Sequence, residues 1–146
     1  MAEEAFNEEK QAAIRNAIQQ SELATSGEIK VHIENHCKEE TLDRAAYIFE
    51  QLKMHETALR NGVLIYLAIK DRQFAIIGDI GINQKVKKGF WDSTSLLMMN
   101  YFKNGEFTKG LVEGILTVGQ QLKTHFPYKA DDQNELSDEI SFGKDV

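Results

Sequence analysis

The densest chemical pattern in this sequence is the loop Gly78-Asp79-Ile80-Gly81-Ile82-Asn83. Two glycines there let backbone approach a ligand closely, and the free amides of a helix turn starting in the loop could hold an anion such as phosphate. Lys85, Lys87 and Lys88 follow at once. The spacing is neither a Walker A loop, which ends in Gly-Lys-Ser/Thr, nor a dinucleotide fingerprint, which needs a third glycine. A plainer reading is a tight turn capped by Asn83, followed by a solvated lysine face. Asp79 is the acid of most interest, because a hard cation needs several oxygens and this one sits inside the loop.

Which groups can join Asp79 depends on strand direction. Glu28 opens an alternating run, Arg60-Asn61-Gly62 opens an apolar one, and Gly78-Asp79 closes a third. If the first two strands are parallel and the third returns by a hairpin, Glu28, Arg60, Asn61 and Asp79 share one end of the sheet, while Glu34 and Asp71 share the other. Glu28 and Asp79 are then candidate ligands for calcium or magnesium. Arg60, Asn61, Gly78, Gly81 and Asn83 are candidates for holding a small anion. The bland alternative is an ordinary surface ion pair between Arg60 and Asp79.

Other patterns are weaker. His32 and His36 have like parity and Cys37 is adjacent, but the spacing matches no zinc motif and an exposed histidine on a polar strand face explains it. Cys37 lacks the Cys-x5-Arg loop of thiol phosphatases, and Ser93-Thr94-Ser95 lacks a Gly-x-Ser-x-Gly elbow. Phe90-Trp91 and Met98-Met99 fall at spacings that helix packing already accounts for.

The elements that must position these residues follow from periodicity. Asn7 caps a first helix with an apolar stripe of Ala13, Ile14, Ala17 and Ile18. Glu28 to Glu34 alternates strictly, which predicts a half-exposed strand. Thr41 to about Lys53 reads as a second helix capped by Thr41. Val63 to Ile69 is apolar throughout and belongs in the middle of a sheet. Lys70-Asp71-Arg72-Gln73 suits a hairpin loop leading to Phe74–Ile77. Strand, helix, strand predicts a parallel crossover, with sheet order first, second, third. A third helix is expected from near Asn83 to Lys103, with Asp92-Ser93-Thr94-Ser95 a weak point, and a fourth from Phe107 to His125. The fold class is α/β: a small mixed sheet, parallel crossover plus hairpin, in a three-layer-like sandwich with about four helices.

At 146 residues the chain is most simply one domain, 1–128, with an acidic tail at 129–146. That tail carries −4 of the net charge of −6, and its composition reads as flexible, although Ile140 and Phe142 could pack on the sheet edge or serve as a short partner motif. No broad basic face is visible, which argues against nucleic acid as a partner. Cys37 is the only cysteine, so an intrachain disulfide is excluded. The start, MAEEAFNEEK, is acidic where a secretory signal is basic and then apolar, and no run approaches the roughly 18–20 apolar residues of a membrane span. The expected setting is cytoplasmic, without membrane insertion.

Taken together, Ser26-Gly27-Glu28-Ile29, Arg60-Asn61-Gly62-Val63-Leu64-Ile65-Tyr66-Leu67-Ala68, Arg72-x-Phe74-Ala75-Ile76-x-Gly78-Asp79-x-Gly81-Ile82 and Phe107-x-x-Gly110-Leu111-x-x-Gly114-Ile115 resemble the TPM domain family. The resemblance runs from about Asn7 to His125. It implies a compact α/β sandwich, and it brings two functional expectations, a phosphatase activity proposed for plant members and divalent-cation binding by acidic residues. Many bacterial members resemble exported, membrane-tethered proteins, a pattern this sequence does not show. Two functions follow as expectations. One is a binding or regulatory module that meets a protein, a small anion or a divalent cation through the strand-end loops and the exposed polar face of the first strand. The other is a metal-assisted phosphatase acting on phosphomonoesters, with Asp79 and Glu28 as ligands or acid/base groups.

Overall fold

The structure is a computed structural model that describes residues 5–129 and 136–143. Helix α1, Glu8–Glu22, starts where Asn7 caps it: the Asn7 side chain accepts from Lys10 N at 2.9 Å. Strand β1, Glu28–Glu34, leads to α2, Thr41–Gln51, and then to β2, Gly62–Ala68. The cap of α2 is Glu40 and not Thr41, because the Glu40 carboxylate accepts from Leu42 N and Asp43 N, both at 3.0 Å. Thr41 is freed to bond Gln73 of β3, Gln73–Gly78.

β1 and β2 are parallel, with Glu28 opposite Gly62 and Glu34 opposite Ala68, as the crossover predicts. β2 and β3 form the expected antiparallel hairpin, Leu64 opposite Ile77. A fourth strand, β4 at Ser141–Phe142, adds parallel to β1, so the sheet order is β3-β2-β1-β4.

The expected third helix is two. Asp79 caps a single turn, α3 at Ile80–Asn83, and α4 begins at Asp92 and runs to Lys103. Gly89 lies between them at φ +83°, a left-handed backbone that ends any helix through this point. Asp92-Ser93-Thr94-Ser95 is therefore a helix start, the place where short polar residues serve well. α5, Phe107–Lys123, completes the chain of helices. With five helices and a four-stranded mixed sheet among the described residues, the fold is the small α/β sandwich expected. Among the described residues, no helix is long and apolar enough to cross a membrane.

Alternation along the strands makes two cores. On one face Ile29, Val31, Ile33, Val63, Ile65 and Leu67 meet α1, α4 and α5 through Ile14, Met98 and Leu111. On the other, Leu64, Tyr66, Ala68 and Ala75 meet Ala45, Ile48 and Phe49 of α2.

The expectation of a half-exposed β1 is corrected. Glu28, His32 and Glu34 are only 3–5% exposed. The C-terminal segment covers them: Leu136 packs into the α2-side core, and the Lys30 ammonium donates to the carbonyls of Ser137 (3.1 Å) and Glu139 (2.8 Å). Gly143 N then donates to Ile33 O at 2.8 Å. Ile140 and Phe142 pack against the larger core, so 136–143 is docked where composition suggests a flexible tail. The acids Asp131, Asp132, Glu135 and Asp145 of that tail lie outside the described residues.

Candidate functional site

The strand-end loops converge as the topology requires. Asp79, 6% exposed, receives a bidentate pair from Arg60, Nε to Oδ2 at 2.8 Å and Nη2 to Oδ1 at 2.9 Å. Its Oδ1 also accepts from Ile80 N at 2.7 Å, capping α3. A carboxylate holding a planar guanidinium through two parallel bonds is the stronger class of ion pair. The neighbouring Asp79 raises the Arg60 pKa. Arg60 occupies a left-handed backbone, φ 50°, which turns its carbonyl toward Gly81 N at 2.9 Å.

Asn61 is 2% exposed, its Nδ2 donating to Ser26 O at 3.2 Å and its carbonyl accepting from Glu28 N at 3.2 Å. Gly62 O accepts from Asp79 N at 2.9 Å. Asn83 does not cap the following helix; its Nδ2 donates back to Gly78 O at 3.1 Å. Arg60, Asn61, Gly78, Asp79, Gly81 and Asn83 therefore form one cross-linked loop cluster. Lys85, expected beside an anion site, turns away to the Phe126 ring, 4.4 Å from Nζ to centroid.

Glu28 sits at the same end of the sheet but faces the α2 side, opposite Gly62, and its Oε1 accepts from Leu136 N at 2.7 Å. Both expected cation ligands thus have internal partners. Among the described residues, no group of three or more His, Cys, Asp or Glu converges to hold a metal ion. Glu28 Oε1 is engaged by the Leu136 amide and both Asp79 oxygens by Arg60.

The histidine-cysteine corner is divided. His32 Nδ1 lies 2.8 Å from Ser141 Oγ and its Nε2 3.1 Å from Glu34 Oε1. His36 Nδ1 lies 3.0 Å from Asp71 Oδ1, while Cys37 N donates to Asp71 Oδ2 at 2.7 Å.

Two polar clusters escape the sequence reading. Glu34 is a buried hub: it accepts from Arg44 Nε (2.9 Å) and Nη2 (3.0 Å) and from the Tyr66 hydroxyl, besides its contact with His32. Burial alone would raise its carboxyl pKa, but hydrogen bonds from His32, Arg44 and Tyr66 hold it down to about 2. The signal available was Tyr66, a phenol inside an otherwise apolar strand that must find an acceptor. The second cluster joins Glu22, at the end of α1, to Asp138. Burial first, and hydrogen bonding and charge from Asp138 next, push the Glu22 pKa up to about 9. That pairing spans two distant parts of the chain and carries no local signal.

The loop cluster leaves two large apolar side chains at the surface. Leu59 is 53% exposed and Ile80 49%, on the two loops that Arg60 and Asp79 clamp together. The Arg60 side chain, 46% exposed, lies between polar clamp and solvent.

Comparison with known proteins agrees with this architecture. BA42 from the psychrophilic bacterium Bizionia argentinensis, solved by NMR, superposes with a TM-score of 0.90 at 46% identity, covering 94% of this chain and 95% of that one. The N-terminal domain of cg2496 from Corynebacterium glutamicum (TM-score 0.64, 11% identity, 96% and 81% covered) shares the fold. So does an N-terminal domain from P. gingivalis (TM-score 0.68, 18% identity, 83% and 78% covered). No curated protein matches the chain. The TPM domain pattern matches residues 2–121, which takes in α1, the first three strands and nearly all of α5, and the chain belongs to the TPM domain family.

Proposed function

We propose that the chain is a binding or regulatory module whose working face is the pair of strand-end loops around Arg60 and Asp79. The observation that carries this reading is the exposure of Leu59 and Ile80 on loops held rigid by the bidentate ion pair. Apolar side chains on a fixed backbone lose little freedom when a partner covers them, and an arginine among them is a frequent anchor of protein interfaces. The favoured ligand is a protein surface.

Calcium or magnesium at Glu28 and Asp79 is a second ligand within the same reading, and it requires Asp79 to leave Arg60 and Glu28 to leave the Leu136 amide. The phosphatase alternative is supported by the half-exposed Arg60 guanidinium, which could meet a phosphomonoester beside Gly78, Gly81 and Asn83. It needs the same release.

An amide NMR titration with calcium, magnesium and then inorganic phosphate separates these. Saturable shifts at Glu28, Arg60–Gly62 and Gly78–Asn83 are the result expected of the ion arm, and they would justify a p-nitrophenyl phosphate assay with Asp79→Asn as control. Without saturable shifts at millimolar ion, both the cation and the phosphatase fall. The protein arm is checked with Leu59→Ser/Ile80→Ser: the folded double variant should lose a partner that the parent chain captures by cross-linking, and full retention would remove this face from consideration.

A further inference from the structure

A cavity of about 440 Å³ lies against β3, bordered by Asn83 and the segment that follows α3. Three consecutive strand residues, Phe74, Ala75 and Ile76, line it. Successive side chains of a strand point to opposite faces, so a hollow that touches all three follows the strand's edge and not either face. Among the described residues β3 is the terminal strand of the sheet on this side. Half of its backbone N–H and C=O groups point away from β2, into the hollow.

The walls suit an extended segment. Phe90 and Trp91, packed edge-on with centroids 4.7 Å apart, form one side, and Leu42 of α2, 56% exposed, forms the other. Lys87 and Lys88 stand exposed at the rim, with Asp92 as the opposing carboxylate. At the start of β3 the hairpin adds Lys70 and Arg72, while the Asp71 carboxylate is held by His36 and Cys37 N. This end of a chain of net charge −6 is locally basic. The sheet's other edge shows what such an edge accepts: the acidic, apolar stretch Asp138–Gly143 supplies β4 there, with Lys30 donating to the carbonyls of Ser137 just before it and Glu139 within it.

We infer that the β3 edge groove is a second binding site, which takes an extended acidic peptide as an added strand. Its backbone pairs with Phe74–Ile76, a large apolar side chain lies on Phe90 and Trp91, and carboxylates meet Lys87 and Lys88. The groove borders the strand-end loops at Asn83, but the residues that would pair with the peptide, Phe74–Ile76, Lys87, Lys88, Phe90 and Trp91, are not part of that cluster.

Trp91 is the only tryptophan, so its emission reports on this groove alone. The probe is the peptide acetyl-DEISFG-amide, which copies Asp138–Gly143, against acetyl-KKISFG-amide as the charge control. A saturable change in Trp91 emission is expected, with amide shifts at Phe74–Ile76 and Lys87–Trp91. Low salt should favour the acidic peptide about tenfold, in line with two or three surface charge contacts. Lys87→Glu/Lys88→Glu, both exposed and foldable, should reverse that preference. No saturable response at millimolar peptide, equal binding of the two peptides, or shifts confined to Ile33 and its neighbours in β1 would each overturn the proposal.

Discussion

Glu34→Ala is expected to cost about 3 kcal/mol of folding stability, read as a lowered urea midpoint at unchanged slope. Removing one partner of a buried, hydrogen-bonded ion pair generally costs about 3–5 kcal/mol, because the other partner is left desolvated and unpaired. Here the Arg44 side chain is 29% exposed and can rehydrate, which favours the lower end. The Tyr66 hydroxyl, in a residue with no exposed surface, has no such escape. Glu34→Gln keeps an acceptor for Arg44 and should lose less. A loss under about 1 kcal/mol for the alanine variant would mean that the hub contributes no more than an exposed pair.

The same hub sets one limb of the stability-pH curve. The Glu34 carboxyl stays ionised in the folded protein down to about 2 but takes up its proton near 4.5 in the unfolded chain. Its contribution is therefore complete above about pH 4.5 and is lost as pH falls toward 2. Glu22 acts in the opposite sense. Its folded pKa of about 9 means that the native state keeps a proton that the unfolded chain releases from 4.5 upward, so stability declines across that interval. The two glutamates together place their maximal contribution at about pH 4.5. Glu22→Gln should flatten the alkaline limb while leaving the acid limb unchanged, as followed by urea midpoints from pH 3 to about 9. An unaltered alkaline decline in that variant would remove Glu22 and Asp138 as its source.

Gly81→Ala is the second large effect, again about 3 kcal/mol, at the upper end of overpacking costs. A Cβ there would lie 2.2 Å from Leu59 O and 2.6 Å from Arg60 O, both backbone atoms with no rotamer to change. The α3 turn would have to lift off the Leu59–Arg60 loop, breaking the Gly81 N to Arg60 O bond and misaligning the ion pair. Gly105→Ala is the control. Nothing lies within 4 Å of a Cβ at Gly105, and only its φ of +78° resists, so a loss of about 1–2 kcal/mol is expected. Equal losses in the two variants would refute close backbone approach as the reason for Gly81. Amide shifts spreading from Ile80 to Arg60 in the Gly81 variant would support it.

The sheet was readable wherever a segment's own pattern decided its place. Val63–Ile69 could only be central, and the four-residue turn after it could only return the chain antiparallel, so topology alone brings Arg60, Asn61 and Asp79 to one end of the sheet. The side of the sheet taken by Glu28 was equally implicit in its register with Gly62, but its partner, the Leu136 amide, lies 108 positions away and has no sequence signal. β1 misled for the same reason. Strict polar alternation marks a solvated face unless something distant covers it, and here two residues of β4 and the segment before them do. The expected third helix spans a non-helical segment, 84–91, in which Val86 and Phe90 keep helical spacing although the backbone does not.

The closing of β1 by β4 also has a bearing on synthesis. Ser141 follows His32 by 109 positions, and at roughly 5–20 residues per second the nascent chain carries β1 for on the order of ten seconds before its outer neighbour exists. During that interval β2 and α2 can already be in place while the edge next to Lys30, His32 and Glu34 lies open to strands of neighbouring chains. Charged side chains along an edge deter such pairing, which gives the alternation of β1 a purpose before burial as well as after it.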